Sequence, residues 1–353
     1  MVYCIVHLFI HHFHRNMNQA PGMQQNLFRE IQRHIGPEHQ CVHEISELLG
    51  IGTDSAYRRI RGETPVSLEE LYLLSRHFGI SVDSLFEVRS GKVAFDELAV
   101  EPGSTNLPDW LKKIHQDLQQ LSSLKNPSII YAAKDIPFFH FFQVPEIAAF
   151  KVFFWQKTLF NFREYRDKKF SFDEYDETIQ EIGEKLLLSF IKTPAIEIWN
   201  EDTFSIFLRQ IEHYWISGVF RERDDIELLC DKLELWIRHM ESQAEHGYKY
   251  HFLQSPHGVE HSFQLYENEV VLNDNSVLIE TGERKIAYLT YNVISLLVTE
   301  DPAFCGRLSV FIKGLIKNSI LISTSASKER SRFFNAMMDH VAQFRHRIAA
   351  MNV

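Results

Sequence analysis

Apolar residues recur at three- and four-residue spacing early in the chain, where Leu27, Phe28, Ile31 and Ile35 share one face of a helix that Gly36 and Pro37 would stop. A second helix is predicted from the buried face of Val42, Ile45, Leu48 and Leu49, ending at Gly50, which permits the left-handed conformation of a tight turn. A third runs from about Thr53 to Arg61, with Ala56 and Ile60 one turn apart as its inward contacts. Ser67 and Glu70 form an S-x-x-E capping box ahead of a fourth helix, which carries Leu68, Leu71, Leu74 and Phe78 inward and ends at Gly79. Ser81 then caps a last turn whose Leu85 and Phe86 close the core. Residues 24–88 therefore read as a compact five-helix domain.

The pattern changes twice more. In residues 101–108 (EPGSTNLP) proline, glycine and small polar residues cluster without periodicity, so residues 89–108 read as a linker. Residues 109–247 show three helical stripes: Tyr175, Ile179, Ile182, Leu186 and Phe190; then Phe204, Phe207, Leu208, Ile211, Tyr214 and Trp215; then Ile226, Leu229, Leu233, Ile237 and Met240. They predict a helical bundle for sensing or dimerisation, with 129–132 as a lone strand and Gly247 as a C-cap. Beyond Tyr248, β-rich runs at 263–272, 277–280 and 285–290 are parted by Asn273-Asp274-Asn275 and Gly282-Glu283, as in antiparallel hairpins. Helices return, the last with Phe333, Met337, Val341, Phe344 and Ile348 on one face. Residues 248–353 are thus expected to be an α+β domain, and the whole chain mainly α. Residues 1–23 read as an extension, disordered or upstream of a true start at Met17 or Met23; His7 and His11 would share a helix face there, but no carboxylate or cysteine completes a metal set.

On a helical wheel, Asp54, Arg58 and Arg61 lie opposite Ala56 and Ile60, with Ser55 and Tyr57 at the edges of that exposed arc. A helix of this width fits the major groove of double-stranded DNA, where arginine pairs bidentately with guanine. Arg58 and Arg61 are the candidates for base contact, while Arg59, off the arc, is placed against phosphate. The ordered set of LLG, the RIRG run, LEEL and GISVDSLF resembles the phage-repressor (Cro/CI, XRE) type of bacterial helix-turn-helix domain over residues 24–88. That resemblance implies base contacts from Thr53, Asp54, Tyr57 and Arg58, and places Arg61, Glu63 and Thr64 near the phosphate-contacting end. Ile60 directly precedes Arg61-Gly62, which departs from the family pattern, and Cys41 stands where a Ser or Thr cap is expected. Farther on, YAAKDIPFFHFF, AAFKVFFWQK and RQIEHYW are similar to the long C-terminal part of a group of bacterial repressor-like regulators.

Charge sharpens the DNA reading. The formal net charge is −10, and residues 24–90 hold seven Arg and no Lys against ten acids, so any contact with DNA must come from local clusters. Residues 307–347 reverse the sign: Arg307, Lys313, Lys317, Lys328, Arg330, Arg332, Arg345 and Arg347 face only Glu329 and Asp339. A solvated helix face is the simpler account of them; an anionic effector or flanking DNA is the alternative. Likewise Phe138, Phe139, Phe141, Phe142, Phe153, Phe154, Trp155, Trp199, Tyr214 and Trp215 are read first as core and second as the lining of a small-molecule effector pocket.

Cys4, Cys41, Cys230 and Cys305 have no CxxC spacing, as suits reduced thiols in a cytoplasm, and no apolar run approaches a membrane span. His257-x-x-Glu260-His261 matches an inverted zinc-peptidase motif, but Pro256 and Gly258 oppose the helix that its chemistry needs. No P-loop, dinucleotide fingerprint or nucleophile elbow is present, so no catalytic residue, metal or cofactor is assigned. The expectation is a cytoplasmic, homodimeric transcriptional regulator rather than an enzyme. A DNA-targeted metal-dependent hydrolase, or an interaction module on a repressor-like fold, is the alternative.

Overall fold

The computed structural model describes residues 22–35, 38–80, 82, 93–101, 103, 106–282, 284–291 and 293–350. The predicted stop at Gly36-Pro37, the last turn with Ser81, Leu85 and Phe86, the extension up to residue 21 and residues 89–92, 102, 104 and 105 of the linker lie outside these residues; the rest of the linker carries a short strand and the start of a helix. The fold is mainly α with a mixed sheet toward the C-terminus, and the chain divides into two compact units at Ala94 and Phe95.

Four described helices make the N-terminal unit: α1 (Met23–Ile35), α2 (Glu38–Leu49), α3 (Thr53–Ile60) and α4 (Leu68–Phe78). Leu27, Phe28, Ile31, Val42, Ile45, Ala56, Ile60 and Leu74 are buried in one core, as their spacing requires. Gly50 and Gly79 adopt the left-handed conformation, at φ 64° and 65°, and each ends its helix. Two expectations are corrected. Cys41 is no cap: α2 begins three residues before it, which carries the thiol into the core. Leu68 is 80% exposed, because as the first residue of α4 it sits off the Leu71, Leu74 and Phe78 stripe.

The C-terminal unit is built on one eight-stranded sheet. Its elements are β1 (Asp96–Leu98), α5 (Leu107–Ser122), β2 (Ser128–Ala132), a 3-10 segment (Phe138–Gln143), α6 (Pro145–Phe154) continuing as a π-helical turn (Trp155–Leu159), α7 (Glu177–Lys192), β3 (Ala195–Trp199), α8 (Glu201–Ile216), α9 (Arg223–His246), β4 (Phe263–Glu267), β5 (Ser276–Glu280), β6 (Lys285–Tyr291), β7 (Ser295–Thr299), α10 (Pro302–Lys317), β8 (Ile320–Leu321) and α11 (Ser327–Ala350). The strand order is β1-β7-β6-β5-β2-β3-β4-β8. β2, β3 and β4 run parallel, which demands helical crossovers, and α6 to α9 supply them.

This topology replaces the expected separation of a bundle over 109–247 from an α+β domain over 248–353. The lone strand at 129–132 lies at the centre of the sheet, pairing in parallel with β3 and antiparallel with β5. β3 escaped the sequence reading because it is a five-residue run between two strong helical stripes. β4 and β5 do not form a hairpin; they flank the β2–β3 pair on opposite sides, while β5–β6 is a hairpin as expected and β6–β7 is a second hairpin that the sequence reading did not include. Alternate residues explain the layering. Ile130, Ala132, Ile198, Leu278 and Ala287 pack on α10, and the residues between them face the other helices and the aromatic core.

One polar group interrupts that second face. Glu197 of β3 is fully buried and takes hydrogen bonds from His140 Nε2, at 2.8 and 3.0 Å, and from Trp199 Nε1, at 2.9 Å. Nearby Lys249 donates to the Thr193 carbonyl at 2.6 Å, and burial pushes its ammonium down to about 7, against the pull of Glu197. The carboxylate is tolerated because it is paired and hydrogen-bonded.

Candidate nucleic-acid interface

Helix α3 buries Ala56 and Ile60 and turns its other side outward. Thr53, Asp54, Tyr57 and Arg58 are exposed, Ser55 is half-buried, and Arg61 follows the helix end with its side chain 60% exposed. The Arg61 guanidinium lies 5.4 Å from the centre of the Tyr57 ring and 3.4 Å from the Glu63 carboxylate. Gly62, at φ 76°, then turns the chain away.

The rear of α3 is held by residues that the helical wheel could not assign. The wheel sets Arg59 off the exposed arc, and in the structure it braces the helix. Its guanidinium closes on Glu70 of α4, Nε to Oε2 at 3.1 Å and Nη2 to Oε1 at 2.8 Å, while Nη1 donates to the Ser55 carbonyl at 3.2 Å. Glu70 also accepts from the Ser67 backbone N–H at 3.0 Å, and Ser67 Oγ accepts from the Glu70 N–H at 3.2 Å, which completes the predicted capping box. The Arg59 guanidinium, more than any other neighbour, holds the Glu70 carboxyl below its ordinary range.

Gln24 of α1 does the corresponding work at the helix end. Its amide nitrogen donates to the carbonyls of Arg59 and Thr64, both at 2.7 Å, and its oxygen accepts from the Val66 N–H at 3.0 Å. Sequence reasoning missed Gln24 because a polar residue beside an apolar stripe carries no sign of a partner some forty positions away.

Residues 19–115 match the BetR domain family. The match covers well under half of the chain, takes in all four helices of the N-terminal unit and reaches into α5. It points to a regulatory, DNA-binding domain family, a coarser statement than the phage-repressor type. No curated protein and no solved structure matches the chain.

The BetR match leaves the other candidate sites to geometry. Within the basic run of 307–347, the four arginines of α11 are paired or hydrogen-bonded. Arg332 pairs with Glu267 at 2.7 Å, Arg345 with Glu227, Asp231 and Glu234 of α9, and Arg347 with Glu212 of α8 at 2.7 Å. Arg330 is buried and donates to the carbonyls of Ile322 and Ser325, both at 3.1 Å. Residues 257–261 form an exposed, non-helical loop, in which His257 Nδ1 donates to the Ser255 carbonyl at 2.8 Å and His261 sits at φ 62°. The two imidazoles therefore lack the helical spacing of the peptidase motif. Among the described residues no group of three or more His, Cys, Asp and Glu is placed to hold a metal ion, and no helix is long and apolar enough to cross a membrane. Cys41, Cys230 and Cys305 are buried thiols, and burial pushes that of Cys230 up to about 12.

The aromatic set divides. Phe138, Phe139, Phe141, Phe154 and Trp155 line a cavity in the C-terminal unit. Phe142, Phe153, Trp199 and Tyr214 are core, and Trp215 packs against it half-buried.

Proposed function

We propose that the chain is a sequence-specific transcriptional regulator of the phage-repressor (Cro/CI, XRE) type, which reads double-stranded DNA by laying α3 in the major groove. The observation that carries this reading is the division of labour among three neighbouring arginines. Arg59 is spent on holding α3 to α4, while Arg58 and Arg61 stay exposed beside Tyr57 on the face turned away from the core. In an acidic domain, two arginines held on a braced helix suit base and phosphate contact better than a diffuse basic surface would. Thr53, Asp54 and Ser55 start the same helix, where helix-turn-helix readers meet base edges. The C-terminal unit acts in effector sensing or homodimerisation, and a dimer would read half-sites one helical turn apart. We read the protein as cytoplasmic and non-catalytic.

Selection of binding sites from random duplex DNA with the full chain tests this. Enrichment of one motif, with a two-fold related pair of half-sites if the protein is a dimer, is the expected outcome. Recovery of no motif at low salt, where phosphate contacts are strongest, would overturn the reading.

A further inference from the structure

The C-terminal unit holds a cavity of about 160 Å³ on the face of the sheet opposite α10. Its floor is made by Leu98, Tyr131, Ile279, Tyr288 and Leu296 of five neighbouring strands, and its roof by α5, the 3-10 segment and α6. The wall is strongly aromatic: Trp110 lies 5.8 Å from Phe138 and 6.1 Å from Trp155, ring centre to ring centre. An apolar cavity of about 150 Å³ accepts a benzene-sized molecule, and aromatic walls favour an aromatic guest through offset and edge contacts.

Two charged groups other than an exterior ion pair line the cavity, Lys151 and Asp135, and they lie together; Asp117, which also lines it, pairs with Lys113 at 2.8 Å. Lys151 is 3% exposed, and its Nζ lies 3.0 Å from Gln210 Oε1, 3.4 Å from Asp135 Oδ2 and 4.5 Å from the centre of the Phe141 ring. An ammonium has three N–H groups, so these two acceptors leave one donor over. Tyr131 adds another. Its hydroxyl has no hydrogen-bond partner among the described residues, and burial together with Asp135 raises its pKa, so it remains a protonated donor. Since Lys151 is already balanced by Asp135, an anionic guest would leave a buried negative charge uncompensated. A neutral oxygen would satisfy the spare donors at no such cost.

We propose that this cavity binds a small uncharged aromatic compound carrying one hydroxyl or carbonyl oxygen, with the ring among Trp110, Phe138 and Trp155 and the oxygen toward Lys151 and Tyr131. Binding itself stands apart from the DNA reading; only its regulatory consequence rests on that reading.

Isothermal titration calorimetry of the full chain with acetophenone, benzyl alcohol, benzoate and toluene tests it. Acetophenone or benzyl alcohol is expected to bind saturably with Kd below about 1 mM, at least tenfold tighter than benzoate. Ile114→Phe, which fills the cavity from a half-buried position, should abolish the signal. Tyr131→Phe, which removes only the unpartnered hydroxyl, should weaken acetophenone several-fold and leave toluene unchanged. Absence of saturable binding by both oxygen-bearing compounds overturns the site, as does undiminished binding to Ile114→Phe. Benzoate binding as tightly as acetophenone overturns the ligand class, and equal weakening of toluene and acetophenone by Tyr131→Phe overturns the role given to the hydroxyl. None of these readouts depends on DNA.

Discussion

Helices α3 and α11 each carry several arginines, and their surroundings make them opposite kinds of surface. On α11, Arg345 is clasped by three carboxylates of α9 and Arg347 by one of α8, so the charge of these two arginines is consumed in fastening a C-terminal helix to its neighbours. On α3, Arg59 is consumed in this way by Glu70, while Arg58 remains exposed and Arg61, just past the helix end, stays exposed beside Glu63. The lesson is that a count of basic residues along a chain predicts a binding surface only after the acids brought in by the fold are subtracted. The helix with fewer arginines has the freer ones.

The sharpest way to break this contrast is to truncate both sets and measure DNA affinity. Each bidentate arginine contact to guanine is worth about 1–3 kcal/mol. Replacing Arg58 and Arg61 together by Ala should therefore cost at least about 30-fold in a fluorescence-anisotropy titration on the selected site. Arg345→Ala with Arg347→Ala should leave both affinity and its salt slope within error. Equal losses from the two pairs would erase the distinction.

Stability reverses the order. Arg345→Ala strands three acids along α9, so a loss of about 2 kcal/mol is expected in urea unfolding of the C-terminal unit, more than an exposed ion pair gives and less than a fully buried one. Arg58→Ala should change unfolding of the N-terminal unit by less than about 0.5 kcal/mol, as surface substitutions usually do.

The smallest effect sharpens the role of the lock behind α3. Glu70→Gln keeps the shape but removes the charge, and should cost the N-terminal unit about 1 kcal/mol at neutral pH. Because the folded-state pKa of Glu70 is depressed, its contribution is fully present above the unfolded carboxylate pKa and is lost as pH falls through the folded value. Melting curves of the wild type and Glu70→Gln should thus converge on acidification below the ordinary carboxylate range. A constant gap at all pH values would assign the loss to packing instead.

What could be read from the sequence follows how local each feature is. The turn at Gly50, the Ser67–Glu70 capping box and the outward side of α3 rest on residues within a few positions of each other, and they are where periodicity puts them. The wheel gives angles but no partners, so it sets Arg59 off the exposed arc and carries no sign that its guanidinium meets Glu70. Gln24 lay beyond it for the same reason. In the C-terminal unit the failure was larger. Ile129 pairs with Ala195 on one side and Ile279 on the other, so the strand that organises the sheet has partners 66 and 150 positions away. The helices around it advertise a stripe over sixteen residues, whereas five-residue β3 advertises nothing that a helix segment would not. The aromatic residues stand out in the sequence, but which of them line a cavity and which fill a core depends on that same long-range pairing.

Strand β1 gives the cavity an uneven wall. It begins two residues after the N-terminal unit ends, has only three residues, all exposed, and is held at the sheet edge by its pairing with β7. Leu98, the partner of Leu296, is both the last of those residues and part of the cavity floor. The rest of that floor is woven into the middle of the sheet, while this strip can peel from its border at the expense of three residue pairs. Leu98 thus belongs to the most easily loosened strand of the chamber, so a guest that crowds it strains the border of the sheet before its centre.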